Sequence, residues 1–272
     1  MGQGDFNQQP DRTLSDVHEM VSDHRDTGNG IYISVRKYPT GDVEAVGLKL
    51  TSEDSLRRGG GAKRKASDKA SMDESVLDKS RRRAKSQVRR KCMVIAADRL
   101  LTLTFRANVQ DLDEAWKCFG YFNKLMRWRF GERWQYVAVP EFQKRGAVHF
   151  HLAVNGYYHA NTVRRLWHRA VGGYDGNVDF TSPKKIKKNS WNPKRVAGYL
   201  AKYMSKCDVV GFNGRRYSSG GKIQLPDPVK GWLALGLSTI QVLRQIIERM
   251  TRSQVQIIWE AEDYYGITYV ST

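Results

Sequence analysis

Two histidines and one glutamate form the pattern in this chain that is best suited to chemistry. His149 and His151 flank Phe150 in an apolar run, and successive side chains of a β-strand point to opposite faces. Both imidazoles would therefore emerge on one face. Glu141 lies in the preceding apolar run, and a three-residue loop between the two runs would set it directly opposite His149. One carboxylate and two neutral imidazoles suit Mn²⁺, Mg²⁺ or Zn²⁺.

A β-hairpin over residues 137–152 is the element that would present these side chains. Its predicted loop is residues 144–146, in which Gly146 can supply a positive φ. A two-residue loop would instead set Glu141 opposite Val148, on the wrong face, so the predicted metal site depends on the register. Two histidines on a strand are also compatible with an ordinary half-exposed polar face.

A second reactive pattern lies in a helix predicted over residues 193–207, which Asn192 can cap. Two tyrosines four residues apart share one face of this helix, and a lysine follows each of them three residues later. The two pairs are Tyr199 with Lys202 and Tyr203 with Lys206. Each phenol would thus have a cation nearby. The apolar stripe of a packed helix explains the tyrosines equally well.

The net charge of the chain indicates a polyanionic partner. Its 272 residues include 46 Lys and Arg against 28 Asp and Glu, a formal net charge of +18, and nucleic acid is the commonest partner of such a surface. Cations interleaved with an aromatic ring suit single-stranded nucleic acid, because cations track the backbone while a ring stacks on a base. The residues predicted to contact DNA are Lys184, Lys185, Lys187, Lys188, Trp191, Lys194, Arg195, Arg164 and Arg165.

Several other functional classes lack their motifs in this sequence. The three cysteines Cys92, Cys118 and Cys207 form no C-x-x-C pair, so neither a zinc finger nor a disulfide framework is indicated. There is no G-x-x-x-x-G-K-[ST] phosphate loop, and hence no predicted ATP site. The longest apolar run, residues 232–237, is too short to span a bilayer. We expect no membrane partner and a cytoplasmic location, in a bacterial host if a phage or plasmid encodes the chain.

Hydrophobic periodicity predicts the order β, α, β, β, α, β for the main part of the chain. Outside it, two strands are predicted over residues 31–38 and 43–50, and a final helix after Pro228 with Trp232, Leu243, Ile247 and Met250 in its stripe. Two closing strands are predicted near the C-terminus. The predicted domains are an N-terminal extension with a possible hairpin (1–52), a basic flexible linker (53–91), a catalytic domain (92–210) and a C-terminal accessory helix with strands (211–272).

The Leu-Thr-Leu-Thr strand at 101–104, the histidine hairpin and the paired tyrosine helix occur here in one order. This combination resembles the HUH endonucleases, and among them the rolling-circle replication initiators of single-stranded DNA phages and related plasmids. The tyrosine pair is most similar to that of microvirus gene A initiators, whose two positions fall on Tyr199 and Tyr203. The resemblance covers residues 99 to about 207, with no motif match on either side.

The resemblance implies an α+β fold, a central antiparallel sheet of about five strands with flanking helices. It implies Mg²⁺ or Mn²⁺ on Glu141, His149 and His151 as a Lewis acid, and attack by Tyr199 on a phosphodiester. The expected product is a 5′-phosphotyrosyl link with a free 3′-OH, and Tyr203 would serve later rounds. The expected partners are single-stranded or supercoiled origin DNA, with a host helicase and DNA polymerase.

Two rival functions remain open at the level of sequence. Plasmid relaxases and single-strand transposases share the metal and tyrosine chemistry, so composition cannot separate them from replication initiators. The net charge is also compatible with a non-catalytic origin-binding protein. That hypothesis does not explain why two tyrosine and lysine pairs follow the histidine hairpin in the sequence.

Overall fold

The computed structural model describes residues 30–50, 74–181, 192–206, 216–233, 238–251, 257–261 and 267–271. The helices are α1 (Glu74–Val94), α2 (Leu112–Phe130), α3 (Ala160–Val171), α4 (Pro193–Lys206) and α5 (Thr239–Thr251), with 3₁₀ turns at Gly131–Arg133 and Gly172–Tyr174. The strands are β1 (Gly30–Lys37), β2 (Val43–Leu50), β3 (Arg99–Phe105), β4 (Tyr136–Phe142), β5 (Val148–Val154), β6 (Gly176–Thr181), β7 (Ser218–Gly220), β8 (Val229–Leu233), β9 (Ile257–Ala261) and β10 (Ile267–Ser271). None of the described helices is long and apolar enough to cross a membrane.

The chain divides into two compact units, each with its own five-stranded sheet. The central unit comprises residues 67–225, and its strand order is β6-β3-β5-β4-β7. The terminal unit combines residues 1–66 with residues 226–272, and its strand order is β8-β1-β2-β10-β9. All described strand pairs are antiparallel. The predicted α+β class, with an antiparallel sheet of five strands and flanking helices, is confirmed.

One face of the central sheet packs against α2 and α3. Phe150 of β5 points to this face, and its ring contacts those of Trp116 and Phe119 in α2. Trp167 of α3 is buried in the same layer, and its indole N–H donates to the carbonyl oxygen of Thr104 at 3.0 Å. Because aromatic side chains bury large apolar areas, this layer anchors the sheet that carries the histidines.

The opposite face of the central sheet is covered by α1 and α4. Ala84, Val88 and Cys92 recur at four-residue intervals, so they form one buried stripe along α1. Val196 and Leu200 of α4 join the same apolar cluster. The helix with the tyrosine pair is thereby fixed over the face to which the two histidines point.

The segment predicted as a flexible linker over residues 53–91 contains part of a helix. α1 begins at Glu74, whereas residues 53–73 lie outside the described residues. This basic sequence folds as a helix because the stripe of Ala84, Val88 and Cys92 gives it one side that can be buried. The basic run at residues 81–91 is therefore helical.

The terminal unit is built on the predicted hairpin of β1 and β2. Its turn is closed by the Tyr38 amide, which donates to the carbonyl oxygen of Asp42 at 2.8 Å, and Gly41 adopts a φ of 86°. β8 pairs with β1 and β10 pairs with β2, so N-terminal and C-terminal segments share one sheet. The sequence prediction placed these segments in separate domains, because strand pairing between distant segments leaves no local signal.

Trp232 lies in a strand, and the prediction that a helix begins directly after Pro228 is wrong. β8 pairs with β1, and the Trp232 ring contacts that of Tyr32 at a centroid distance of 5.3 Å. The helix begins only at Thr239. Aromatic residues suit strands as well as helices, and here the pairing with β1 decides between them. Leu243, Ile247 and Met250 are buried on α5 as predicted.

Candidate active site

The hairpin adopts the register on which the predicted site depends. Glu141 pairs directly with His149 across β4 and β5. The Gln143 amide donates to the carbonyl oxygen of Ala147 at 2.9 Å, which leaves three residues in the loop, and Gly146 has a φ of 85°. The register and the loop length predicted from the sequence are confirmed.

Arg145, at the tip of this loop, holds the hairpin against the end of β3. Its guanidinium donates to the carbonyl oxygens of Phe105 at 2.9 Å and Arg106 at 3.1 Å. Arginine presents several donors in one plane, so a single side chain can bind two carbonyl groups at once. From the sequence, Arg145 was predicted only as a loop residue. Its contacts restrict the position of the strand that carries the histidines.

His151 is held between a carboxylate and a hydroxyl group. Glu141 Oε2 lies 2.7 Å from His151 Nε2, and Thr102 Oγ1 lies 3.2 Å from His151 Nδ1. Thr102 pairs with His151 across β3 and β5, so strand alternation brings its side chain to the same face. Partners on both ring nitrogens fix the orientation of the imidazole. A core strand and an active-site border explain Thr102 equally well in sequence, and the contact with His151 supports the latter.

His149 is buried beside His151 but has a different environment. Its Nε2 atom is buried and has no hydrogen-bond partner in the described part of the chain. Burial, and to a lesser extent the neighbouring His151, lowers the pKa of His149 to about 4. Its imidazole is therefore neutral at pH 7, which is the form that binds metal ions.

The three predicted ligands lie on one face of the sheet, but their donor atoms are not arranged around a common point. Within the described residues, no three or more His, Cys, Asp or Glu side chains are arranged as a metal site. The Glu141 carboxylate contacts His151, while the buried Nε2 of His149 has no partner among the described residues. A carboxylate, two imidazoles and an orphaned buried nitrogen fit a divalent cation in donor type. Binding would require Glu141 and His151 to exchange their mutual hydrogen bond for the ion.

The tyrosine pair of α4 lies directly over this histidine strand. The ring of Tyr203 stacks on that of His151, with centroids 3.6 Å apart and an angle of 11° between the planes. Tyr199 meets Tyr203 edge to face at 5.2 Å. Asn192 caps the helix, since its Oδ1 accepts from the Arg195 amide at 2.9 Å. The sequence predicted the shared helix face and the cap, whereas the stacking depends on how α4 crosses the sheet.

The two tyrosines differ in exposure. Tyr199 is 40% exposed, whereas Tyr203 is half-buried. Burial raises the pKa of Tyr203 well above its usual value, as do its hydrogen bond with Tyr199 and the nearby charge of Glu141. The phenolate form of Tyr203 is therefore disfavoured in this arrangement. Tyr199 is the phenol that DNA can reach more easily.

The remaining predicted site residues lie in several places. Lys202 is exposed on α4, as is Arg195 in its first turn, where Lys194 is half-buried. Lys206 ends the helix, and its side chain lies outside the described set, as do Lys184, Lys185, Lys187, Lys188 and Trp191. Arg164 and Arg165 are exposed on α3, which covers the sheet face opposite to the tyrosines. The structure thus does not bring these two arginines to the tyrosine helix.

Residues 98–208 match the family model described as replication-associated protein ORF2/G2P. The matched segment includes β3, the histidine hairpin and α4. The match supports a replication-initiator family and a role in the initiation of DNA replication. No curated protein and no solved structure matches the chain.

Proposed function

We propose that this protein is a metal-dependent endonuclease and strand transferase that nicks single-stranded DNA at a replication origin. The observation that carries the proposal is the stacking of Tyr203 on His151, whose Nε2 contacts Glu141. Two phenols thus lie beside one carboxylate and two imidazoles, over a sheet matched to a replication-associated family. This combination serves initiation and termination of rolling-circle replication.

The reaction is a transesterification at phosphorus. The Tyr199 oxygen loses its proton and forms a bond to the phosphorus, while the bond from phosphorus to the 3′ oxygen breaks. The 3′ oxygen takes up a proton and leaves as a free 3′-OH, and the 5′ phosphate remains on the tyrosine. Lys202 lies three residues further along the helix, and its cation favours the negative charge that develops. Because the link conserves the phosphodiester energy, the same site can rejoin DNA without ATP.

Glu141, His149 and His151 would hold a divalent ion, Mg²⁺ or Mn²⁺. When bound, it supplies Lewis acidity that polarises the scissile phosphate. Burial keeps His149 neutral and thus available as a ligand, and Thr102 orients His151. The apolar contacts of α4 hold the tyrosines over these side chains.

The test is covalent capture of a labelled single strand. The full chain is incubated with Mn²⁺ and single-stranded oligonucleotides derived from its own replicon, and SDS-resistant adducts are mapped by peptide mass spectrometry. We expect the DNA on Tyr199 or Tyr203, and no adduct from the variant with both tyrosines changed to Phe. Tyr157→Phe is the matched control, because Tyr157 is 63% exposed and lies outside this helix. An adduct that survives the double change would overturn the assignment.

The rival functions give different outcomes in the same experiment. A non-catalytic origin-binding protein would bind the oligonucleotides without forming any adduct. A relaxase or single-strand transposase would form the adduct at a transfer origin or at transposon ends instead of the replication origin. The family match favours the replication origin.

A further inference from the structure

A pocket in the central unit lies between α1 and the segment that leads into β7. It is open to solvent, and its volume of about 670 Å³ lies within the range of small-molecule sites. Lys91 and Arg216 line it together with Tyr217, Ser218 and Ser219, and no acidic side chain is among its described lining residues. Both segments that form the pocket lie outside residues 98–208, the part matched by the family model.

Lys91 is a partly buried cation whose contacts are neutral. Its Nζ donates to Ser219 Oγ at 2.6 Å and lies 5.4 Å from the centroid of the Tyr217 ring. Burial lowers the pKa of Lys91, which means that its ammonium group loses hydration. No ion pair to Lys91 occurs within the described residues. A cation that is partly desolvated without a counterion favours the binding of an anion.

The other lining residues suit a phosphate carried on an organic group. Arg216 supplies a guanidinium, whose planar donors match phosphate oxygens, and Ser219 adds a hydroxyl group. The Tyr217 ring gives the pocket an apolar wall. Two cations beside an aromatic ring suit an unpaired nucleotide, because the cations can hold its phosphate while the ring packs against the nucleoside.

The wall formed by β7 is fixed in place. Gly221 has a φ of 94°, and a Cβ atom there would lie 2.6 Å from the Trp134 carbonyl oxygen, so only glycine allows this close approach. Gln135 Nε2 donates to the carbonyl oxygen of Gly221 at 2.8 Å. The strand segment after Tyr217 is therefore held tightly against β4. A preformed wall reduces the entropic cost of ligand binding.

The pocket is on the same side of the sheet as the tyrosines. Ser219 pairs with Val137, and Val137 and Glu141 point to one face because they are four residues apart on β4. Four residues of strand span about 13 Å. A short single strand can therefore reach from the candidate active site to this pocket.

We propose that this pocket binds one nucleotide of the strand that the tyrosines cleave, with its phosphate held by Lys91 and Arg216 and its nucleoside against Tyr217. The identity of the strand rests on the proposed function, whereas the pocket itself rests on its own residues. It would hold the DNA near the site of cleavage without taking part in the chemistry.

The test measures equilibrium binding in a full-length background that cannot cleave. Tyr199 and Tyr203 are both changed to Phe, and a short fluorescein-labelled single strand of mixed sequence is titrated by anisotropy between about 50 and 200 mM salt. We expect Lys91→Met to weaken binding roughly tenfold, because one charge-assisted hydrogen bond to the phosphate is removed. The slope of log affinity against log salt should fall by about 0.7. Arg216→Gln tests the same pocket without altering α1.

Arg83→Gln is the matched control, because Arg83 is an exposed cation on the same helix and does not line the pocket. It should leave affinity and slope nearly unchanged. Equal losses of affinity for Arg83→Gln and Lys91→Met would show that only the net charge matters and would overturn the proposal. Binding as tight as that of the background protein by both Lys91→Met and Arg216→Gln would also overturn it. Circular dichroism identifies a variant that fails to fold, and the other variant then decides. Absence of a covalent adduct in the capture experiment would refute the proposed function without affecting this result.

Discussion

Tyr199 and Tyr203 share one face of α4, but they differ in how each phenol can be used. Tyr203 stacks on His151, and its burial raises its pKa, whereas Tyr199 is exposed. A strand of DNA approaching the helix from solvent meets Tyr199 first. This difference in exposure is a physical reason to assign initial cleavage to Tyr199 and later strand transfer to Tyr203. The sequence spacing alone gives no such reason, because it is the same for both tyrosines.

We expect Tyr199→Phe to abolish or sharply reduce initial cleavage, and Tyr203→Phe to spare it while impairing strand transfer. Phe keeps the ring packing and removes only the hydroxyl group, so a lower rate reports chemistry instead of a cavity. The measurement is the rate of adduct formation on one oligonucleotide, followed by transfer to a second. Unimpaired initial cleavage by Tyr199→Phe would reverse the assigned order.

The buried Nε2 of His149 predicts a requirement for metal. EDTA should abolish cleavage, and Mn²⁺ or Mg²⁺ should restore it. His149→Ala should lower the cleavage rate on the order of 100-fold, as expected when one electrostatic contact to the reacting group is removed. It should retain most of its DNA affinity, because the cationic surface supplies the bulk of that affinity. Binding by anisotropy and cleavage by gel are measured side by side, and full cleavage in EDTA would contradict the prediction.

The residue-scale predictions from sequence succeeded where strand geometry alone determines the outcome. Alternation on β5 and an odd loop length were enough to set Glu141 opposite His149. The contact of Glu141 with His151, instead of with both histidines, depends on rotamers that spacing does not encode. The orientation of His151 by Thr102 also requires the pairing of β3 with β5, which joins segments far apart in sequence.

At the scale of elements, local signals identified β3, α2, β4, β5, α3, β6 and α4 of the central unit, whereas α1, β7 and β8 were not predicted. Asp111 caps α2 and Asn192 caps α4, since each accepts a backbone hydrogen bond, and the cap at Asn192 was predicted from the sequence. The spacing of Ala84, Val88 and Cys92 is typical of an amphipathic helix, but the many cations around them favoured the prediction of a solvated linker. β8 had no such signal, because only its pairing with β1 distinguishes it from a helix.

The two helix caps provide a matched pair of substitutions. Asp111→Ala and Asn192→Ala should each lower the free energy of unfolding by about 1 kcal/mol, measured by urea denaturation. Only Asn192→Ala should also lower the cleavage rate, because it loosens the first turn of the tyrosine helix, whereas α2 lies on the other face of the sheet. Equal effects of both variants on cleavage would show that activity follows global stability.

At the scale of the whole molecule, the positive charge is spread over both faces of the central sheet. Arg164 and Arg165 lie on α3, across the sheet from α4, whereas Lys194 and Arg195 begin α4 itself. The net charge of +18 predicted a nucleic-acid partner, but it could not indicate which cations lie near the tyrosines. That information depends on which sheet face each helix covers.

The basic sequence run at residues 184–188 and the two arginines on α3 define two classes of charge variant. Changing Lys184, Lys185, Lys187 and Lys188 to Gln should weaken single-strand binding and lower the salt slope by roughly 0.7 for each phosphate that is no longer neutralised. Arg164→Gln with Arg165→Gln should weaken binding less and leave the adduct yield at saturating DNA unchanged. Anisotropy over a salt series measures the first effect, and gel analysis measures the second. An unchanged slope in the lysine variant would assign those residues to solvated surface.

The division into two units predicts that residues 67–225 fold and act alone. This segment contains a complete five-stranded sheet with an apolar cluster on each face, and it includes every residue assigned to the proposed chemistry. The terminal unit has its own sheet and its own cluster around Leu243 and Ile247.

The fragment should show a cooperative urea transition and form the tyrosyl adduct at a rate within about threefold of the full chain, since no residue in the reaction is removed. The fragment with both tyrosines changed to Phe is the control for the adduct. A fragment that unfolds cooperatively yet forms no adduct would show that the terminal unit takes part in cleavage, whereas a fragment without a cooperative transition would show that the central unit depends on it for folding.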